Sequence, residues 1–291
     1  MSPCRHGPVA ASKSASERCF IWPRPARSPA LYERVFRQLT GVWLGRRRYA
    51  TTYQLQLELF EARKRDEVGD LMLCLEHEPV ITLGRGAKAE HLLDSREALA
   101  ARGVDVEVTD RGGEITLHAP GQLVAYPIVA LAPDRCDVRR YVRDLTATMR
   151  ELIAPHGIDA GEMPGLIGLW VDAERRGSWP GAEQAKRPVK IGAIGVRLSR
   201  WVTMHGFALN IAPDLSLYRS IVPCGVTSYG VGSMESLGAR VPDTADLAPL
   251  AWMNLAGRLG RQPVTFLDGS DVPEPELGRW LLSAERTSRV A

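Results

Sequence analysis

A run of glycine, proline and polar residues at 111–122 has the composition of a binding loop. It reads Arg-Gly-Gly-Glu-Ile-Thr-Leu-His-Ala-Pro-Gly-Gln, which places three glycines, a guanidinium and an imidazole close together. Glycine lets the backbone approach a ligand closely or adopt a positive φ, and binding residues concentrate on loops that a scaffold holds. The run therefore predicts a site, although ordinary tight turns are also rich in glycine.

Cys224 is the candidate nucleophile of the chain. It stands in the turn-like sequence Val-Pro-Cys-Gly-Val, which is suited to holding a thiol out at the end of a strand or loop. A nucleophilic cysteine needs a cation or base beside its thiolate, and the candidates for that role are Lys190, His118 and His205. The alternative is that Cys224 is a small buried hydrophobic residue, as most free cysteines are.

Two further segments carry polar residues at the start of apolar strands. Lys190 opens the run Lys-Ile-Gly-Ala-Ile-Gly-Val, and His205 precedes Gly-Phe-Ala-Leu-Asn. Each also has a structural interpretation, since a lysine before a strand is often an exposed edge residue and a lone histidine is often a hydrogen-bonded core residue. His77 has no partner histidine at helical spacing, so no metal site is predicted.

Composition and charge narrow the class of protein. Of the 291 residues, 45% are hydrophobic and 24% are charged, which is typical of a soluble globular enzyme, and no apolar run is long enough for a membrane span. Residues 1–50 hold ten of the 37 Lys and Arg but only two of the 34 Asp and Glu. The basic charge therefore belongs to the N-terminal segment, and the body is expected to bind neither nucleic acid nor membrane.

The cysteines and the N-terminus indicate the compartment. The five cysteines are scattered and form no Cys-x-x-Cys pair, so we expect free thiols rather than a zinc site or a disulfide framework. The first 40 residues are rich in Ser, Ala, Pro and Arg, as in some organelle transit peptides, but their prolines interrupt an amphipathic helix. A cytoplasmic location is therefore favoured over organelle targeting.

Apolar periodicity predicts an α+β fold with a mixed β-sheet, because strands and helices alternate irregularly. We expect a disordered or peripheral basic extension at 1–42, a folded domain at 43–268 and a C-terminal tail at 269–291 that is peripheral apart from residues 280–282. Residues 172–188 are expected to form an exposed loop. Helices are predicted at 51–65, where a strand is the alternative, at 138–152 and at 247–259; strands are predicted at 71–76, 80–83, 104–109, 123–129, 166–171, 190–198 and 202–211.

Four ordered segments together resemble the lipoyl(octanoyl) transferases. They are the glycine-rich run from Arg111, the segment from Lys190 to Gly195, the segment from His205 to Asn210, and Pro-Cys-Gly at 223–225. The segments His-Glu-Pro-Val-Ile-Thr-Leu-Gly at 77–84 and Glu-His-Leu-Leu at 90–93 are also similar to the family, so that the resemblance runs from about residue 43 to 266. It implies the α+β fold shared by biotin and lipoate protein ligases and transferases.

The resemblance also implies an activity and its partners. Members of that family transfer an octanoyl chain from octanoyl-acyl carrier protein to a lysine of lipoyl domains, in 2-oxo acid dehydrogenase complexes and in the glycine cleavage H protein. Cys224 and Lys190 match the family's cysteine–lysine pair. Cys224 would form an acyl-thioester intermediate, and Lys190 would stabilise its thiolate and shuttle protons. No cofactor is implied.

The acyl-binding segments of the family fall on three stretches of this chain, with His205 in a supporting role. Small residues in them would let the backbone line a narrow apolar tunnel. The family usually has an aromatic residue where Leu117 stands and glycine where Ala119 stands, so chain-length preference is in doubt. The predicted substrate-binding residues are Arg111, Gly112, Gly113, Glu114, Ile115, Thr116, Leu117, His118, Ala193, Ile194, Gly195, Gly206, Phe207 and Ala208.

Two other functions fit the same fold. An ATP-dependent lipoate or biotin ligase is one, because Gly-Arg-Gly at 84–86 is similar to the glycine-rich nucleotide loop of those ligases. A noncatalytic acyl-protein-binding relative is the other, although it would not need both Cys224 and Lys190.

Overall fold

The computed structural model describes residues 38–223 and 229–288, so the predicted nucleophile Cys224 lies outside the described residues. The helices are α1 (Tyr49–Lys64), α2 (Arg96–Ala101), α3 (Val138–Ile153), α4 (Thr244–Leu259) and α5 (Leu277–Ser288). The strands are β1 (Gln38–Arg47), β2 (Asp70–His77), β3 (Val80–Leu83), β4 (Asp105–Val108), β5 (Ile115–His118), β6 (Gln122–Ile128), β7 (Gly161–Met163), β8 (Leu166–Asp172), β9 (Pro188–Ser199), β10 (Val202–Asn210), β11 (Gly230–Val231) and β12 (Gln262–Asp268).

The strands form a large mixed sheet and a small one. The large sheet has the order β12-β1-β2-β6-β10-β9-β8-β7, with β11 also paired to β9, and the small sheet has the order β4-β3-β5. β1 is parallel to both β2 and β12, whereas the pairs from β2 through β6, β10, β9 and β8 to β7 are antiparallel. This mixed pairing with helices confirms the predicted α+β class.

The large sheet is covered by helices on both faces. Because successive side chains of a strand point to opposite faces, Met72 and Cys74 of β2 pack with α3 and α4, while Leu71, Leu73 and Leu75 pack with α1 and α5. Both faces of β2 are therefore buried, which explains why its sequence is continuously apolar.

Helix α3 has the periodicity of a helix with one buried face. Tyr141, Leu145 and Met149 recur every four residues and are buried, so they meet the sheet on one side. Asp137 caps the N-terminus by accepting a hydrogen bond from the Arg140 amide at 2.9 Å. The helix begins where this cap satisfies an otherwise unpaired amide.

The small sheet has a core of its own. Ile81 of β3 packs with Ile115 and Leu117 of β5, and Leu99 of α2 covers them. Ile221, which lies just before Cys224 in the sequence, also belongs to this cluster. The small sheet therefore supports both the strand that follows the glycine-rich run and the chain segment that leads to Cys224.

Three features differ from the sequence-based expectations. The described elements extend beyond 43–268 at both ends, because β1 begins at Gln38 and α5 lies within the expected peripheral tail. Leu277 and Leu281 of α5 are fully buried with the residues of α1, so apolar side chains at helical spacing make this segment part of the fold. Cys136 is disulfide-bonded, so the expectation of free thiols is wrong at that residue.

Other expectations are confirmed. The helix predicted at 51–65 is α1, and the predicted strands correspond to β2, β3, β4, β6, β8, β9 and β10. Residues 173–187 form a loop whose ends are held by the buried Asp172 carboxylate, which accepts hydrogen bonds from the amides of Glu174, Lys186 and Arg187. Within the described residues, no helix is both long and apolar enough to cross a bilayer.

A buried ion triad joins distant parts of the chain. The Asp70 carboxylate at the start of β2 accepts hydrogen bonds from Nε of Arg63 and Nε of Arg261, each at 2.8 Å, and from the Ala130 amide at 2.9 Å. The side chains of Asp70, Arg63 and Arg261 are almost completely buried. The triad therefore connects α1, β2, the end of β6 and the start of β12.

We expect Asp70→Ala to lower the free energy of unfolding by about 3–5 kcal/mol, because it removes the carboxylate beside the buried Arg261 guanidinium and one of the two carboxylates beside Arg63. Urea unfolding measures the change. Asp94→Ala is the matched control, since the Asp94–Arg102 pair is partly exposed and such pairs contribute about 0–1 kcal/mol. Equal losses in the two variants would contradict this role of the triad.

Candidate active site

Two adjoining clefts lie between the glycine-rich run and strands β9 and β10. The inner cleft has apolar and aromatic walls and ends at buried histidines, and its lining residues are Tyr49, Arg111, Gly113, Glu114, Ile115, Thr116, His118, Tyr126, Lys190, Ala193, Ile194, Gly195, His205, Gly206, Phe207 and Ala208. The outer cleft has a volume of about 260 Å³, and its lining residues are Gly112, Gly113, Glu114, Val142, Gly165, Leu166, Ile167, Trp170, Lys190, Ile194, Gly195, Val196, Pro223, Tyr229, Gly230 and Val231.

The glycine-rich run is fixed in place by the buried Arg111 guanidinium. Its Nη2 donates to Oγ1 and to the carbonyl oxygen of Thr82 on β3, both at 2.8 Å. The next amide, that of Gly112, donates to the carbonyl oxygen of Val196 on β9 at 2.9 Å. The run is therefore hydrogen-bonded to both sheets, and it closes the space between them.

Gly195 makes this close approach possible. A Cβ atom at Gly195 would lie 2.9 Å from the Gly112 carbonyl oxygen and 3.0 Å from Cδ of Arg111. Both contacts are shorter than carbon normally allows, so a larger residue would push the run away from β9. The glycine at position 195 is thus explained by its packing against the glycine-rich run.

The glycine-rich segment at 84–86 is paired with the same run. The amides of Gly84, Arg85 and Gly86 donate to the carbonyl oxygens of Glu114, Arg111 and Gly113 at 2.9, 3.1 and 3.0 Å. A phosphate-binding loop needs its amides directed at the ligand. Here the amides of all three residues are used within the protein.

Lys190 lies where the two clefts meet. It is on β9 opposite Trp170 of β8, and its Nζ is 5.6 Å from the centroid of the Trp170 ring. Pro223, which is bonded to Cys224, and Tyr229 line the outer cleft together with Lys190. Pro223 and Tyr229 are the described residues on either side of 224–228, and both therefore border the cleft that Lys190 lines.

Gly168 provides the space for the Lys190 side chain. Its φ is +138°, and a Cβ atom there would lie 2.4 Å from Cε of Lys190 and 2.5 Å from the Gly192 carbonyl oxygen. The residue combines a backbone conformation that favours glycine with a contact that excludes a side chain. A single glycine within an apolar strand is the signal that predicts such an approach.

His118 is held in one orientation at the inner end of the cleft. Its Nδ1 is 3.1 Å from Oε1 of Gln122, whose Nε2 donates to the Leu117 carbonyl oxygen and to Oδ1 of Asn210. Since the amide oxygen of Gln122 only accepts, Nδ1 carries the proton and Nε2 of the neutral ring carries a lone pair. Burial, with smaller effects from His77 and Arg111, holds the pKa of His118 well below its usual value.

His77 is a buried partner of this group rather than a metal ligand. Its Nδ1 donates to the Arg47 carbonyl oxygen at 3.0 Å, and its Nε2 accepts from the Tyr126 hydroxyl at 2.8 Å. Burial lowers the pKa of His77 to about 4, so the ring is neutral at pH 7. Within residues 38–223 and 229–288, no group of three or more His, Cys, Asp and Glu side chains could hold a metal ion.

His205 connects the cleft to the residue before Arg111. Its backbone has a φ of +59°, and its Nε2 is 3.0 Å from Oδ1 of Asp110, which also forms an ion pair with Arg197. The hydrogen bond from His205 and the nearby Arg197 charge lower the pKa of Asp110, whereas burial lowers the pKa of His205. The strained backbone is thus held by a charged contact between β10 and the glycine-rich run.

Comparisons with known proteins decide the family. Residues 48–251 match the family described as lipoyl protein ligase A/B catalytic domain. An octanoyltransferase of Chloroflexus aggregans is 44% identical over 232 residues, which are 79% of this chain and 99% of that protein. The chain belongs to the octanoyltransferase family. It is therefore a transferase whose chemistry is related to lipoyl groups.

Other relatives extend this result. An octanoyltransferase of Myxococcus xanthus is 47% identical over 205 residues, which cover 70% of this chain but only 55% of that protein. The fold also matches a solved structure of an archaeal lipoylation system from Thermoplasma acidophilum, which contains a bi-partite lipoate protein ligase and its E2 lipoyl domain. The TM-score is 0.58 at 16% identity, and the match covers 84% of this chain and 92% of that chain. P. falciparum LipL1 in complex with lipoate matches with a TM-score of 0.56 at 9% identity, covering 85% of this chain and 72% of that chain. These two likenesses show the shared fold.

Most residues of the predicted site lie around the two clefts. Lys190, His205 and the predicted residues of β9 and β10 line the inner cleft, and Gly112 lines the outer one. Leu117 lines neither cleft, and its side chain is buried in the core of the small sheet. Its difference from the family pattern therefore lies away from the cleft walls.

Several residues of the site were not predicted from the sequence, and four of them shape the inner cleft or position its residues. Tyr49 of α1 and Tyr126 of β6 line the inner cleft, Asp110 contacts His205, and Gly168 makes room for Lys190. Only Asp110 and Gly168 have a local signal, since one precedes the glycine-rich run and the other interrupts an apolar strand. The two tyrosines come from segments distant in sequence.

We expect Gly168→Ala to lower the rate of acyl transfer by about 10²-fold, because displacing a reacting group by even about 1 Å has an effect of that size. The new methyl group would overlap Cε of Lys190. Transfer assays and a thermal melt measure the change. Gly181→Ala is the matched control, since Gly181 also has a positive φ of +93° but has nothing within 4 Å of an added Cβ. A Gly168→Ala rate equal to that of the control would contradict the assigned role.

Proposed function

We propose that this chain transfers an octanoyl group from octanoyl-acyl carrier protein to a specific lysine of lipoyl domains, in the cytoplasm. The acceptor domains are those of 2-oxo acid dehydrogenase complexes and of the glycine cleavage H protein. Cys224 is the nucleophile that carries the octanoyl group as a thioester, and Lys190 is its proton-transfer partner. No bound cofactor takes part in this proposal.

The position of Lys190 is the observation that supports this proposal most strongly. An amine at the junction of two clefts, in a space that Gly168 leaves open for it, is held where a reacting group would be needed. Pro223 lines the same outer cleft, and Cys224 is the next residue along the chain. The pairing of Cys224 with Lys190 therefore requires no long-range rearrangement of the described chain.

The walls of the clefts suit an acyl chain. Ala193, Ile194, Phe207 and Ala208 are apolar residues that line the inner cleft, and Val142 and Trp170 line the outer one. A hydrocarbon chain gains free energy from such surfaces in proportion to the area it buries. The polar groups are few and lie at defined points, which is typical of a small-molecule site.

The proposed chemistry has two half-reactions. The Cys224 thiolate, stabilised by the Lys190 ammonium, attacks the donor thioester, and the carrier thiol leaves with a proton from Lys190. The acceptor amine then attacks the octanoyl-Cys224 thioester, which gives the amide and restores the thiolate. Thioester exchange is nearly balanced in free energy, and amide formation makes the sequence proceed forward.

An ATP-dependent ligase is the competing function, and one feature of the structure disfavours it. Such a ligase activates a free acid as an adenylate and needs a loop that binds phosphate. The segment 84–86 is the candidate loop in the sequence, but the amides of Gly84, Arg85 and Gly86 are all bonded to the glycine-rich run. A free nucleotide would have to displace those hydrogen bonds.

We expect incubation with octanoyl-carrier protein to give a single octanoyl adduct on Cys224, as seen by intact-mass and peptide mass spectrometry. Cys224→Ser should abolish the thioester adduct, and Lys190→Met should slow its formation because the thiolate loses its neighbouring cation. Cys74→Ala is the control that should retain it, since Cys74 is fully buried and burial raises the pKa of its thiol.

Two results would contradict the proposed function. One is an adduct on another cysteine, or none, in the unaltered chain. The other is octanoylation of a lipoyl domain from ATP and free octanoate without carrier protein, which would indicate a ligase.

A further inference from the structure

The proton balance of the proposed reaction requires a second base. The acceptor lysine enters as an ammonium and loses two protons when it becomes an amide nitrogen. One of these protons returns to Lys190, which gave its own proton to the departing carrier thiol. The other proton must leave the site, because the overall reaction converts a thioester and an ammonium into a thiol, an amide and a free proton.

Glu114 and His91 form an unusual pair beside the clefts. Glu114 lines both the inner and the outer cleft, as Lys190 does. Its Oε2 is 2.8 Å from Nδ1 of His91, although the two atoms are not aligned for a hydrogen bond and neither makes one to another described residue. A carboxylate and an imidazole nitrogen this close together can pass a proton between them.

The backbone of His91 also borders the segment that leads to Cys224. Its carbonyl oxygen accepts a hydrogen bond from the Val222 amide at 2.9 Å, and the amide of Leu93 donates to the Ser220 carbonyl oxygen at 2.9 Å. The side chains of His91 and Glu114 are 13% and 29% exposed. A proton accepted at this pair therefore has a route to solvent as well as a position near the end of the cleft.

The other titratable groups near the clefts are poorly suited to accepting this proton. Hydrogen bonding from His205 lowers the pKa of Asp110, and burial lowers the pKa of both His118 and His205, so all three are weak bases. Burial raises the pKa of Tyr49 to about 12, so its hydroxyl stays protonated. Arg111 cannot accept a proton at all.

We propose that Glu114 binds the ammonium of the acceptor lysine and accepts its first proton, and that His91 positions Glu114 and passes the proton to solvent. This inference rests on the proposed function. The N–H bond of the ammonium breaks and an O–H bond forms on the carboxyl group. The neutral amine then attacks the octanoyl thioester, the N–C bond forms and the C–S bond breaks. The second proton goes to the neutral amine of Lys190, which restores the Cys224 thiolate beside an ammonium.

The two half-reactions separate this role from that of the cysteine–lysine pair. We expect Glu114→Gln to slow formation of the octanoyl-Cys224 adduct far less than it slows transfer from that adduct. Single-turnover transfer from that adduct to saturating lipoyl domain should be slower by about 10²-fold, the usual contribution of a general base. His91→Gln should lose less in the same step. Glu107→Gln is the matched control, since it removes the same charge from β4, which lies in the small sheet as well.

Hydroxylamine distinguishes proton transfer from a structural effect. It is a weakly basic amine that is already neutral at pH 7, so it needs no base before attack. We expect it to cleave the octanoyl-Cys224 adducts of the unaltered chain and of Glu114→Gln at equal rates.

Three results would overturn the inference. The first is transfer to the lipoyl domain at an unchanged rate in Glu114→Gln. The second is an equal slowing with hydroxylamine and with the lipoyl domain, which would indicate a distorted cleft. The third is the absence of an adduct in the unaltered chain, which would contradict the proposed function and this inference together.

Discussion

The site depends on the docking of the glycine-rich run by the buried Arg111 guanidinium. Hydrogen bonds from a charged donor contribute about 1.5–3 kcal/mol each, and those from Arg111 to Thr82 attach the run to the small sheet. The Gly112 amide attaches the same run to β9. Without these contacts the wall that carries Glu114 and His118 would not face the strand that carries Lys190.

Few of the titratable side chains at the inner end of the cleft carry a charge. The buried imidazoles of His77, His118 and His205 have lowered pKa values and are neutral at pH 7. They provide a polar but uncharged end to the inner cleft, and Asp110 is neutralised by Arg197. An apolar acyl chain can therefore enter this end of the inner cleft without desolvating unpaired charge, which would oppose its binding.

Much of the fold could be predicted because the signals were local. Periodicity of nearly four residues identified α3 and alternation identified several strands, whereas the pattern at α1 also allowed a strand; the glycine-rich run was recognised from composition alone. The family resemblance added the pairing of Lys190 with Cys224, which no spacing along the chain reveals. The sequence does not say which side chains of β5 are buried, and Leu117 lies in the core of the small sheet.

The features that escaped prediction depend on tertiary contacts. Tyr49 of α1 and Tyr126 of β6 reach the inner cleft from segments that are distant in sequence, and His91 meets Glu114 because the turn at 89–91 packs beside the glycine-rich run. The burial of α5 was missed because its proline-rich approach favours a loop. Such contacts follow from how the sheets pack, which a single sequence does not specify.

The activation of Cys224 by Lys190 is tested most directly by the pH dependence of iodoacetamide alkylation at Cys224, followed by peptide mass spectrometry. A neighbouring ammonium stabilises the thiolate, so the unaltered chain should reach its half-maximal rate at a lower pH than Lys190→Met does. Superimposable profiles for the two proteins would contradict the cysteine–lysine pair on which the proposed reaction rests.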